Sequence, residues 1–254
     1  MSIWGKIIGG STGFALGGPI GALLGVMAGH GIDKAKINKN ENYKSKVSNK
    51  DAEQVFATGV IALAAKLSKV DGKVTKNEID TFKKIFEFPN KDIDIISKLF
   101  NTAKKDPNNF QNYAHQLKEC FLEEKILHEI LNALFAIAYA DHVLHDKEEK
   151  MLIEISKIFN ICLEDYDRIK RIYENKNSVS NDDKLKNYYK LLGVSSSDSL
   201  ESIKKKYRNI IKEYHPDRIQ GKGLPEEFVN FANKKLVEFN EAYNEIKKQK
   251  QNKV

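Results

Sequence analysis

Between Lys6 and Asp33 the chain carries 26 residues in a row without Asp, Glu, Lys or Arg. As a helix rising about 1.5 Å per residue, that run would reach roughly 39 Å, more than the ~30 Å of a hydrocarbon core. One Lys precedes it, whereas Lys34, Lys36, Lys39, Lys44, Lys46 and Lys50 follow. This asymmetry predicts a single-pass transmembrane helix over residues 1–32, with the N-terminus outside and the long remainder in the cytoplasm. A cleavable signal peptide fits poorly, because the apolar run is too long and no small-residue cleavage site follows it. Gly5, Gly9, Gly13, Gly17, Gly21, Gly25 and Gly29 recur every four residues. On a helix they form a smooth ridge where another backbone can approach, so Gly9, Gly13, Gly17, Gly21, Gly25 and Gly29 are candidates for self-association into a homodimer. The plainer reading is a Gly-rich segment that only anchors. Gly18-Pro19 lies in mid-span and either kinks the helix or splits it into a re-entrant hairpin. His30, at the inner boundary, reads as an interfacial residue rather than a proton relay.

The charge is distributed unevenly. Net charge is +7 over the whole chain, but +5 before Asp51, −5 from Asp51 to Asp183, and +7 from Lys184 onward. A uniformly basic nucleic-acid binder does not have an acidic middle, so nucleic acid is not an expected partner. The two cysteines, Cys120 and Cys162, lie far apart on apolar helical stretches, too few for a disulfide framework or a zinc site. They read as buried free thiols in a reducing compartment.

After a polar, Lys-rich linker over residues 33–50, helix-period apolar runs take over. They cover Ala52–Lys69, Lys76–Phe86, Asp92–Lys104, Phe110–Glu124, Ile126–Tyr139, Lys147–Phe159 and about Glu164–Tyr173. With 5 Pro in the chain and few alternating Val/Thr runs, an all-α fold is predicted, with a seven-helix bundle over 51–175 and a linker over 176–186. Two stretches 70 residues apart echo each other, Asp71-Gly-Lys-Val-Thr-Lys-Asn-Glu78 and Asp141-His-Val-Leu-His-Asp-Lys-Glu148. Each follows an Ala-rich helix and precedes one that ends in Ile-Phe. The doubled helix–Asp-turn–helix pattern resembles the TerB-like fold. That resemblance implies a link to divalent cations through Asp71, Glu78, Asp141 and Glu148, which are hard oxygen ligands. Local structure explains the same residues more simply. Thr75-x-x-Glu78 is a capping box and Asp71-Gly72 suits a turn. His142 and His145 beside Asp141 and Asp146 occur in one copy only. No metal is therefore assigned.

From Asn187 the chain reads Asn-Tyr-Tyr-Lys-Leu-Leu-Gly-Val, then a Ser-rich turn, then Leu200 to Tyr214 and His215-Pro216-Asp217-Arg218. A further amphipathic run extends from about Glu226 to Lys247. Leu200, Ile203, Tyr207, Ile210 and Tyr214 form one apolar stripe; Phe228, Ala232, Leu236, Phe239, Tyr243 and Ile246 form another. Two such stripes predict an antiparallel helical hairpin, closed at its base by Tyr188, Leu191 and Leu192. Asp198 with Glu201 reads as the start signal of its first helix. Lys204, Arg208 and Lys212 make a basic row away from the packed face, which by itself need be no more than a solvated face.

Over residues 187–250 the Tyr-Tyr-x-x-Leu-Gly-Val opening, the Ile-Lys-x-x-Tyr-Arg helix, the His-Pro-Asp loop and the Phe-x-x-Ala-Tyr-x-x-Ile close together resemble a J-domain of the DnaJ family. The resemblance implies a co-chaperone whose partner is a DnaK-type chaperone ATPase, whose ATP hydrolysis it stimulates. It assigns His215, Pro216 and Asp217 to the signalling loop and Lys204, Tyr207, Arg208 and Arg218 to flanking contacts, with Lys205 and Lys212 adding steering charge. Ile219 stands where the family usually has Asn, and the loop tail is longer than in general-purpose members. The order of Gly-rich span, TerB-like bundle and terminal J-domain resembles the DjlA-like, membrane-anchored branch of that family. This implies a bacterial inner-membrane location, with the bundle directing client or site of action. A membrane-tethered metal-sensing or stress-signalling module is the competing reading. Nothing suggests an enzyme or a cofactor, since there is no Gly-rich phosphate loop and no nucleophile–base spacing.

Overall fold

The computed structural model describes residues 18–27, 49–72, 76–86, 92–174, 181–213, 224 and 226–251. Among them the fold is all-α and contains no strand. Helices α1 (Gly18–Met27), α2 (Asn49–Val70), α3 (Lys76–Phe86), α4 (Ile93–Ala103), α5 (Phe110–Cys120), α6 (Glu124–Ala138), α7 (Asp146–Ile158) and α8 (Leu163–Glu174) form the bundle. Helices α9 (Asn181–Leu191), α10 (Leu200–Glu213) and α11 (Glu226–Gln251) form the C-terminal unit.

Helix α2 is the axle. Every residue from Gln54 to Ser68 is buried, as a helix that is apolar on all sides requires. It packs against α4, α5, α6 and α7. The tight approach of α5 depends on Gly59, since a Cβ there would come within 2.7 Å of the Leu117 side chain. Lys66, 1% exposed, is the charged side chain in this stretch, beside the buried polar Gln54, Thr58 and Ser68. Its ammonium donates to the carbonyl oxygen of Ala103, which α4 leaves free at its C-terminus, at 3.1 Å, and to that of Asp106 in the loop beyond, and it lies 4.8 Å from the Tyr113 ring centre. Burial lowers its pKa to about 8.

The internal repeat is visible in the backbone. Gly72 N–H donates to the Lys69 carbonyl at 2.9 Å, and His142 N–H donates to the Tyr139 carbonyl at 3.0 Å. Gly72 has φ +101° and His142 φ +71°, so both Asp-turns reverse through a left-handed residue at the same place. Asp141 Oδ1 then accepts from Val143 N–H at 3.1 Å. Thr75, expected to cap α3, lies outside the described residues. In the second copy Glu148 Oε2 accepts from His145 N–H at 3.0 Å, the reach-back half of a capping box.

The C-terminal unit is an antiparallel hairpin on a short base. Tyr207 stacks on Tyr243 with centroids 4.1 Å apart and planes 9° from parallel, and its hydroxyl donates to Asn240 Oδ1 at 2.7 Å. At the far end, Lys250 Nζ donates to the carbonyls of Ser196 and Asp198. The last turn of α11 is thereby tied to the turn that opens α10, so the two helices run in opposite directions side by side. Leu192 and Tyr189 are buried beneath them, with the Tyr189 hydroxyl 2.8 Å from Gln249 Oε1. Helix α9 begins at Asn181, inside the stretch expected to be a linker.

The bundle and the hairpin share a core. Phe228 of α11 is fully buried, its ring 4.5 Å from Phe56 of α2 and 6.5 Å from Phe86 of α3. Lys235, also buried, lies over the Tyr173 ring at 4.7 Å and pairs with Glu238 at 3.1 Å. A cavity of about 310 Å³ between Tyr139, His142, Tyr173, Phe231 and Lys235 marks the seam.

Helix α1 opens with Gly18, at φ +61°, and Pro19. Here the pair starts a helix, where the missing proline N–H costs nothing. At 10 residues α1 rises about 15 Å. Among the described residues no helix is long and apolar enough to cross a membrane.

Candidate partner-docking face

Helix α10 divides its two sides cleanly. Ile203 and Ile210 are buried against α11, and Tyr207 and Ile211 are half-buried beside them. Lys204, Lys205, Arg208 and Lys212 are exposed on the opposite side, and among the described residues none of the four is matched with a carboxylate. Lys206 differs, because it leans toward the bundle and lies 3.7 Å from Glu164. The helix start is set by Ser199, whose Oγ accepts from Ser202 N–H at 3.2 Å. Asp198, expected to serve that role, instead closes the preceding turn by accepting from Ser195 N–H at 2.8 Å.

Of the residues expected to meet the partner, Lys204, Lys205, Arg208 and Lys212 therefore form one exposed cationic row. Tyr207 is turned into the hairpin, where it spends its ring on Tyr243. His215, Pro216, Asp217 and Arg218 lie outside the described residues. The base of the row is stiffened by Tyr188, whose hydroxyl donates to Glu241 Oε1 at 2.6 Å while Lys184 reaches the same carboxylate.

The four acids singled out for a metal behave differently. Among the described residues no group of three or more His, Cys, Asp and Glu side chains is arranged to hold a metal ion. Glu78 and Glu148 are both buried. Burial raises the Glu148 carboxyl to about 7, with Glu78 and Asp71 adding to the rise, while the backbone bond from His145 opposes it. Asp141 Oδ2 lies 3.7 Å from His145 Nε2. The thiols also depart from expectation in part. Cys120 is half-buried, its pKa raised to about 11 by burial and by Glu119, whereas Cys162 is exposed at the turn before α8, its Sγ donating to Asp165 Oδ2 at 3.2 Å.

Of the glycines proposed for self-association, Gly21 is buried against the bundle and Gly25 lies in α1; Gly9, Gly13, Gly17 and Gly29 lie outside the described residues. Helix α1 packs on α4 and α5. Ile20 N–H donates to Gln116 Oε1 of α5 at 2.9 Å, and Ile20, Leu23 and Leu24 are buried.

Comparison with known proteins follows the same division. Residues 1–45 match the model of the co-chaperone DjlA transmembrane domain, residues 57–171 that of tellurite resistance protein TerB, and residues 187–254 that of the DnaJ domain. The chain is 27% identical to the co-chaperone protein DjlA of Salmonella typhimurium, over 98% of this chain and 99% of that protein. The DjlA proteins of Coxiella burnetii and Escherichia coli K12 are also 27% identical, over 98% of this chain and 98% and 99% of their own length. No solved structure matches. The first match makes the N-terminal segment a membrane-anchoring one, and the last gives the chain a J-domain that works with a chaperone partner. Anchor, bundle and hairpin thus stand in the order that the relatives keep from end to end, and the chain belongs to the DjlA-like, membrane-anchored co-chaperones of the DnaJ family.

Proposed function

We propose that the chain recruits a DnaK-type ATPase to the cytoplasmic face of a bacterial inner membrane and stimulates its ATP hydrolysis. The observation that carries this reading is the row of exposed cations Lys204, Lys205, Arg208 and Lys212, without a carboxylate partner among the described residues and held on the outer side of a hairpin whose other side is packed. Such a row steers an acidic ATPase surface into register and raises the association rate more than the final affinity. His215, Pro216 and Asp217 follow α10 in sequence after Tyr214. Asp217 pairs with an Arg of the ATPase in a charge-assisted bond, and Arg218 adds to the cationic edge. Tyr207 contributes by holding α10 on α11. The TerB-like bundle selects the client or the site of action, and residues 1–32 cross the bilayer once with the N-terminus outside, the glycine ridge pairing two copies.

The test uses the full chain in lipid nanodiscs with a DnaK-type chaperone. Wild type accelerates single-turnover ATP hydrolysis, and His215→Gln abolishes the acceleration with helical content unchanged. Lys204→Glu combined with Arg208→Glu slows association and flattens its dependence on salt. A His215→Gln chain that stimulates as well as wild type overturns the assignment.

A further inference from the structure

Helix α1 belongs to the membrane-matching segment, yet the bundle holds it by its apolar side. Ile20, Leu23 and Leu24 are buried in a groove between α4 and α5, whereas Ala22 between them is exposed. Gln116, itself buried, sits at the mouth of this groove. Its Oε1 accepts the Ile20 N–H, an amide that has no carbonyl one turn back within the helix. Its side chain also lies so near Gly18 that a Cβ there would come within 2.8 Å. The groove thus reads three features at once: an apolar i, i+3, i+4 pattern, a small residue at the entry, and a free amide in the first turn. Ile20, Leu23 and Leu24 cannot face lipid and the groove together.

We infer that the groove between α4 and α5 is a binding site for an apolar, glycine-bearing helix of a client protein, with α1 as its built-in stand-in. The inference rests on the membrane-anchored reading. When the N-terminal segment enters a bilayer, it leaves behind an apolar trough with Gln116 at one end. An apolar helix in water is the ligand such a trough takes. A second copy of this chain is not the occupant, because its own α1 is then in lipid as well. Client entry and docking of α1 exclude each other, so the membrane-inserted chain is the receptive one.

The experiment uses the full chain in lipid nanodiscs, carrying Cys120→Ser, Cys162→Ser and Ala22→Cys. A membrane-impermeant maleimide labels position 22 when α1 is docked, where Ala22 is exposed, and misses it when the segment is in lipid. The probe is a fluorescent, lysine-flanked peptide with the sequence of residues 18–27, its binding read by anisotropy against empty nanodiscs. Position 22 is expected to be protected and the peptide to bind saturably. The Leu24→Lys peptide should bind at least tenfold more weakly, and the Ala22→Lys peptide within about twofold of the parent. Gln116→Leu in the chain should weaken the parent peptide several-fold without altering helical content. Protection of position 22 with no binding, or with equal binding of the two lysine peptides, overturns the groove assignment and leaves the membrane reading standing. Rapid labelling in nanodiscs overturns the membrane reading instead, and the inference falls with it because the groove is never vacated.

Discussion

Glu148→Gln should turn a pH-dependent bundle into one that is much less so. The wild-type carboxyl is 2% exposed, and burial, reinforced by Glu78 and Asp71, raises it from an ordinary 4.5 to about 7. Between those two values the folded chain holds a proton that the unfolded chain has released. Folding is therefore favoured most below pH 4.5, loses ground as pH rises, and reaches a constant penalty above pH 7. At about 1.4 kcal/mol per pKa unit, the penalty is on the order of 3 kcal/mol at pH 8 and small at pH 5. Gln keeps an oxygen for the His145 N–H and never ionises. The variant should melt with wild type at pH 5 and about 6–12 °C above it at pH 8, taking 2–4 °C per kcal/mol for a chain of this size. Thermal unfolding of the full chain in non-ionic detergent, followed by circular dichroism, measures this. Wild-type and variant melting temperatures that keep the same separation at both pH values would refute the claim that Glu148 is held protonated.

Phe228→Ala removes the ring shared by the bundle and the hairpin, and should destabilise the fold by about 3–5 kcal/mol. Hydrogen exchange should speed up first in α3 and α11, and an unchanged melting temperature argues against a common core. Lys66, lowered to about 8, gives the opposite pH trend from Glu148, because the folded state binds fewer protons than the unfolded state from pH 8 up to 10.5. The difference in melting temperature between wild type and Lys66→Met should therefore shift in favour of wild type as pH rises from 8 to 9.5. A constant difference would show that the ammonium is not desolvated.

The bundle was legible because its apolar residues recur with helical spacing, and α3 occupies Lys76–Phe86 as that spacing predicts. Where prediction and structure part, long-range packing explains most of the difference. The fifth helix stops at Cys120 rather than Glu124, since Phe121 leaves helical geometry (φ −117°, ψ 93°) to place its ring edge-on to Phe56 at 5.5 Å. Helix α9 starts in a polar stretch with no apolar period, and the Tyr188 and Tyr189 bonds to α11 hold it in place. Of the cationic row, Lys204, Arg208 and Lys212 could be read from spacing alone. The shared core could not, because Phe228 fits the stripe of a self-contained hairpin and nothing in a stripe says which neighbour it meets. The rise in the Glu148 pKa was equally hidden, since the repeat announces a capping residue but not that Glu78 and Asp71 converge on it.

The wedge formed by Phe228 has a mechanical consequence. A partner docking on the outer side of α10 would land on a bracket bolted to the bundle instead of on a swinging arm, so its heading would be dictated by α2 and α3. Any load that tilts those two helices, such as a helix settling beside α4 and α5, re-aims the landing place with no separate messenger between them.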